Sequence, residues 1–86
     1  MTIINSKITP ESVKEYNEEA LLADGFDDAI IGMCLQFGQL PVVAYDYEKC
    51  IQILMKDMTR DEALEYFEFN VINAYMGINT PVYIVS

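Results

Sequence analysis

Ala29-Ile30-Ile31-Gly32-Met33-Cys34-Leu35-Gln36-Phe37, then Gly38-Gln39-Leu40-Pro41, then Val42-Val43-Ala44-Tyr45: the reading of this run decides the fold class. Residues 29–37 are apolar at successive positions and so on both faces of an extended chain, the pattern of a central strand. Gly38 to Pro41 reads as a turn, with Pro41 tolerable at a strand start. Val42 to Tyr45 reads as a second strand. Two strands joined by so short a link pair as an antiparallel hairpin.

Downstream, Asp46 is an N-cap, and Tyr47 to Met58 reads as a helix. Its apolar face is Tyr47, Cys50, Ile51, Leu54 and Met58; its wet face is Glu48, Lys49, Gln52 and Lys56. Thr59-Arg60-Asp61-Glu62 has the spacing of a capping box, in which Thr59 and Glu62 each bond the other's backbone N–H. The helix it opens is predicted to run to about Met76, with Leu64, Phe67, Val71, Ala74 or Tyr75, and then Ile78 toward the core. Gly77 stops it, Asn79-Thr80-Pro81 turns the chain, and Val82 to Val85 is the last strand.

Upstream, Thr9-Pro10 starts a helix, a hydroxyl cap followed by a proline whose missing N–H costs nothing. It is predicted over Pro10 to about Ala23, with Val13, Tyr16, Ala20 and Ala23 inward and Glu15, Glu18 and Glu19 outward, closed by Asp24-Gly25. Residues 1–8 read as a short edge strand or a loose arm. The expected fold is α+β in one domain spanning residues 1–86. It has a small antiparallel sheet of about three strands, covered by helices on one face, in the order α-β-β-α-α-β.

Fourteen acidic against five basic residues leave a net charge of −9. With 52% apolar residues and 12% aromatics, the chain is too apolar for a disordered acidic tail. There is no histidine or tryptophan, and the single arginine is Arg60. A basic nucleic-acid binder, a histidine-dependent triad and a histidine-containing zinc site therefore lack their parts. The start of the chain carries no signal-peptide pattern and no run is long enough to span a membrane, so a cytoplasmic protein is expected. Cys34 and Cys50 read as buried thiols rather than a bridge.

No serine sits in a strand–turn–helix setting, Cys34 lies in an apolar strand that disfavours a thiolate, and the four glycines are scattered singly. The expectation is a protein that is not an enzyme and takes no cofactor. Asp24, Asp27 and Asp28, crowded around Gly25-Phe26, supply oxygen ligands of the kind Mg²⁺ or Ca²⁺ takes, but their spacing fits no EF-hand loop; the alternative is a solvated acidic rim. No metal site is assigned. Asn70 lies at the edge of the core stripe and needs hydrogen-bond partners: the turn at Asn79-Thr80, or a ligand, with Glu65 and Tyr66 nearby.

A second apolar line, Phe69, Ile72 and Met76, runs about a quarter-turn from the core stripe. Either the first helix covers it, or it is a homodimer or partner contact together with Tyr75. Six tyrosines and five methionines favour an interface. The excess negative charge repels nucleic acid and steers the chain toward basic protein surfaces. Glu11, Glu15, Glu18 and Glu19 along one helix give a weaker reading, nucleic-acid mimicry.

Gly25-Phe26-Asp27-Asp28-Ala29-Ile30-Ile31-Gly32, Tyr45-Asp46, Ala63-Leu64-Glu65-Tyr66-Phe67-Glu68-Phe69-Asn70, Tyr75-Met76-Gly77 and Thr80-Pro81-Val82-Tyr83 resemble a small protein family widespread in tailed bacteriophages. The resemblance covers roughly Asp24 to Val85. It departs at Asn73, where many relatives have glycine, and near Ile78, where many have an acidic residue. It implies a phage accessory protein in the host cytoplasm and brings no catalytic residues. The expected function is binding and modulation of a host or defence protein. Asp24, Asp27 and Asp28 would supply the electrostatics, and Phe69, Ile72, Met76 and Tyr75 the interface. The alternative is a dimer that holds a small molecule such as a nucleotide signal, using Asn70, Glu65, Tyr66 and the Asp27-Asp28 loop; the scarcity of lysine and arginine weighs against a phosphate-rich ligand. A metal-dependent hydrolase built on the aspartates is the third and weakest reading.

Overall fold

The computed structural model describes residues 2–4 and 7–85. The hairpin forms the middle of the sheet, with β2 (Ile30–Gln36) antiparallel to β3 (Gln39–Asp46) in the register Met33 to Val43 and Cys34 to Val42. The turn is tighter than the sequence suggested, because Gly38 takes a positive φ of 75° and lets Gln39 to Pro41 join the strand.

Among the described residues the sheet has four strands, not about three, in the order β1-β2-β3-β4, and it is mixed. β1 (Thr2–Ile4) adds antiparallel to β2 as an edge strand, so part of the 1–8 segment joins the sheet. Met1, Asn5 and Ser6 lie outside the described residues. β4 (Val82–Ile84) runs parallel to β3, with Ala44 opposite Val82 and Tyr45 opposite Tyr83, which corrects the all-antiparallel expectation. The connection from β3 carries two helices and returns the chain to the end where β3 began, so β4 must run the same way as β3. The element order is thus β-α-β-β-α-α-β, with the class α+β as read from the sequence.

All three helices start where the sequence placed them and stop earlier. α1 (Pro10–Tyr16) is opened by Thr9, whose hydroxyl accepts from the Ser12 N–H at 3.2 Å. α2 (Tyr47–Leu54) is capped by Asp46, and α3 (Arg60–Phe67) by the Thr59–Glu62 box, with the Thr59 N–H donating to Glu62 at 2.9 Å. The last helix then widens into a π-turn at Glu68–Ile72 and ends there, not at Met76. Likewise α2 ends at Leu54 rather than Met58. Glu48 on α2 grips Arg60 on α3 with two 2.8 Å bonds, which fixes one helix against the other and holds the Glu48 carboxyl below its ordinary range.

α1 ends at Tyr16, not Ala23, because Asn17 leaves the helix with extended backbone, φ −161° and ψ 108°. Its side chain is 2% exposed and fully engaged. Nδ2 donates to the Pro41 carbonyl at 2.9 Å and to Asn79 Oδ1 at 3.0 Å, while Oδ1 accepts the Glu19 N–H at 3.0 Å. A short amide that bonds elsewhere competes with helix continuation. The chain beyond it still satisfies its backbone: Leu21 N–H donates to the Asn79 carbonyl at 3.1 Å and Ala23 N–H to the Tyr45 hydroxyl at 2.8 Å. Val13 and Ala20 are buried and Tyr16 and Ala23 half-buried, so these four positions pack inward although half of them are not helical.

The main core lies between the sheet and the helices, around Met33, Val43, Tyr45, Cys50, Ile51, Ala63 and Phe67. A smaller cluster, Cys34, Val42 and Ala44 with Ile3, Val82 and Ile84 about it, draws every member from a strand and sits on the opposite face. Cys34 and Cys50 therefore belong to different clusters, both as buried thiols. Among the described residues no helix is long and apolar enough to cross a membrane.

Candidate functional site

The early end of α1 and the π-turn together create a cleft of about 380 Å³. One wall is the loop 21–26, in which Leu21, Leu22 and Phe26 face the hollow. That loop would have been helix surface had α1 run on; Asn17, Asn79 and Tyr45 hold it open instead. The other wall is the end of the last helix, with Tyr66, Asn70, Val71, Ala74 and Met76. Ile53, Leu54 and Tyr83 complete the lining, with Thr80 and Pro81 closing one end.

The second wall owes its shape to Asn70. Its Nδ2 donates to the Tyr66 carbonyl at 3.0 Å, the acceptor that an unbroken α-helix would give to the Asn70 N–H. The ladder then steps to five-residue spacing, with Asn73 N–H donating to the Glu68 carbonyl at 3.2 Å. Such π-turns occur mostly inside helices and often at functional sites. Beyond it, the Thr80 hydroxyl accepts from the Met76 N–H at 2.9 Å and donates to the Gly77 carbonyl at 2.7 Å, closing a tight turn in which Gly77 has a φ of 101°. This turn places Met76 at the cleft mouth.

Two further hollows adjoin the cleft. One, lined by Glu62, Glu65, Tyr66, Phe69 and Asn70, shares Tyr66 and Asn70 with it. The other, beside Gln36 and Gln39 of the hairpin, takes in Tyr75, Gly77 and Ile78 and shares Thr80 and Pro81. Among the described residues, the charged ones lining the three are Asp24, Glu62 and Glu65, with no lysine or arginine.

The structure therefore brings together Asp24, Tyr66, Asn70 and Met76 in the cleft, with Glu65 and Phe69 next door. It does not bring in Asp27 and Asp28, which are exposed on a 3₁₀ turn (Asp27–Ala29) outside all three hollows. Among the described residues no three acidic or cysteine side chains stand close enough to hold a metal. Asn70 is exposed at the edge of the core stripe, and its amide bonds the Tyr66 carbonyl within its own turn, not the turn at Asn79-Thr80. Ile72 packs against the core, so the apolar line of Phe69, Ile72 and Met76 is not one surface stripe. The end of the helix at Ile72 also turns Ala74, Tyr75 and Ile78 outward. Sequence reading missed Leu21, Leu22, Phe26 and Tyr83 as lining, since nothing local distinguishes them from ordinary core residues.

Beneath the cleft, burial first, then the neighbouring Tyr45 and Cys50, push the Tyr83 phenol up to about 12. Burial likewise raises Tyr45, against the Ala23 N–H that favours its phenolate, and pushes the Cys50 thiol up to about 12, with Asp46 adding to it. These folded-state values lie above the ordinary 10.0 and 9.0, so the unfolded chain releases its protons first. Their stabilisation is full below about pH 9 and is lost as pH rises toward 12. Urea midpoints followed by circular dichroism are expected to fall steadily through that window; a flat profile would contradict the burial of all three groups.

No protein-family model, curated protein or solved structure matches the chain.

Proposed function

We propose that this chain is a non-enzymatic accessory protein that captures another protein through the cleft and its apolar rim, and so alters that partner's activity. One observation carries the reading. Within the segment 69–78, Phe69, Tyr75, Met76 and Ile78 are 71%, 73%, 73% and 63% exposed around the cleft and its neighbouring hollows. Large apolar side chains held in water together mark interaction sites, and aromatic residues and methionine are enriched there. The net charge of −9 favours a basic partner. It also opposes pairing of two copies through the acidic rim.

The small-molecule alternative is less well supported. A polar ligand needs convergent polar groups to fix its orientation. Here one N–H of the Asn70 amide is engaged by the Tyr66 carbonyl, and the Thr80 hydroxyl is bonded in both directions. The resemblance to tailed-phage proteins makes the infected host's cytoplasm the proposed setting, and a host or defence protein the proposed partner.

The test is affinity capture from infected lysate at low salt, with the wild-type chain beside a Phe69→Ser, Met76→Ser variant. Both side chains are exposed, so the variant is expected to fold normally. A partner at near-equal stoichiometry, reduced about tenfold or more by the variant, is the expected result. Recovery of bait alone, or of the same proteins with both baits, would sink the proposal.

A further inference from the structure

Resting on that protein-binding reading, we infer that the cleft receives the apolar face of a basic amphipathic helix, with lysine or arginine of the partner meeting the carboxylates beside it. The cavity is lined by Leu21, Leu22, Phe26, Val71, Ala74 and Met76, and its 380 Å³ suits a few large apolar side chains rather than a whole folded edge. Asp24 lies in the lining, and the hollow sharing Tyr66 and Asn70 with it adds Glu62 and Glu65.

Among the described residues, these carboxylates face no compensating cation in the lining of either hollow. The nearest basic residue in sequence, Arg60, is held by Glu48 with both of its terminal nitrogens. The region is thus apolar within and negative at its side, the complement of an apolar stripe flanked by cations. A helix fits better than an added strand. The walls are the loop 21–26 and the π-turn, which offer side chains, whereas strand addition requires a row of unpaired backbone groups along an edge. Two residues of the partner at i and i+4 would enter the cleft, and a cation one turn away would lie over Glu62 and Glu65, themselves three apart on α3.

The probe is a synthetic helical peptide of leucine and lysine, with its leucines confined to one face. It is compared with the same pattern carrying glutamate for lysine, and with a leucine–lysine peptide whose order removes the helical period. Titration calorimetry and far-ultraviolet circular dichroism read binding and induced helix. The periodic leucine–lysine peptide is expected to bind and gain helix, and each of the other two to bind about tenfold more weakly. Ala74→Phe fills the cleft without changing the charge and is expected to weaken binding about tenfold; Leu22→Gln, on the opposite wall, checks that result independently. Glu62→Gln with Glu65→Gln is expected to flatten the salt dependence.

Binding that ignores the helical period, or that both cleft variants leave intact, overturns the inference and shows only attraction to an acidic surface. If the captured partner is retained while the periodic peptide neither binds nor competes with it, the occupant is wrong and the accessory role stands. If no protein is captured but the peptide binds as expected and the cleft variants abolish it, the chemistry assigned to the cleft stands and the accessory role falls.

Discussion

Phe67→Ala is expected to lower the free energy of unfolding by about 3–5 kcal/mol, the range for removing a large aromatic side chain from a core. Phe67 is fully buried and meets three rings edge-on: Phe26 at 5.6 Å, Tyr47 at 5.3 Å and Tyr83 at 5.1 Å between centroids. Each contact adds to the simple burial term. A chain of this size has about 4–13 kcal/mol of stability in all, so the variant is expected to lose a large share of it. Its melting temperature should drop by about 4–8 °C per kcal/mol. Phe69, two residues on, is the control. It is mostly exposed, and Phe69→Ala is expected to shift stability by no more than about 0.5 kcal/mol while reducing partner capture. Equal losses in the two variants, measured by chemical denaturation, would contradict the division of these neighbours into core and surface.

Asn17→Ala is expected to cost about 2–4 kcal/mol, since the buried amide makes three hydrogen bonds and all are lost at once. The Pro41 carbonyl, Asn79 Oδ1 and the Glu19 N–H would each need water or a new partner. The isosteric Asn17→Asp is expected to be worse at neutral pH, because it turns a donor into a charged acceptor facing two oxygens. The loss is also expected to be local first. Hydrogen exchange should quicken at the Glu19 and Leu21 amides, the second of which donates to Asn79, before the rest of the domain opens. Asn70→Ala, the same change at an exposed site, is expected to stay within about 0.5 kcal/mol. Comparable costs at the two asparagines would show that Asn17 does not tie the loop 17–26 to the rest of the fold.

These two residues also mark how much of the protein could be read from its sequence. Phe67 was legible: it falls on the apolar stripe of a helix whose capping box announces its start, and the structure buries it. The hairpin was legible for the same kind of reason, an apolar run, a turn and a β-branched run within seventeen residues of chain, 29–45. Asn17 was not. It stands in a stretch with helical spacing, and nothing nearby indicates that its amide has partners elsewhere. Asn70 misled in the opposite sense, because an asparagine beside a core stripe looks buried until the helix is seen to widen and carry it to the surface.

The candidate site was legible only in fragments. Asp24, Tyr66, Asn70 and Met76 were singled out for different reasons, charge, polarity and an apolar line, and the cleft unites them. Asp27 and Asp28 had the same appeal as Asp24 and lie elsewhere, since the 3₁₀ turn carries them outward. Leu21 and Leu22 looked like part of a helix and became a wall.

What the sequence by itself determined is the set of features whose causes act over a few residues: the starts of all three helices, the central hairpin, the inward positions Val13, Ala20, Phe67 and Val71, and an acidic surface. Tertiary structure alone decided where α1 stops, the parallel direction of β4 and the existence of the cleft. The physical reason is the span of the bonds concerned. The Asn17 amide finds its partners 24 and 62 residues away, at Pro41 and Asn79, and only the assembled sheet and C-terminal turn bring those acceptors within reach.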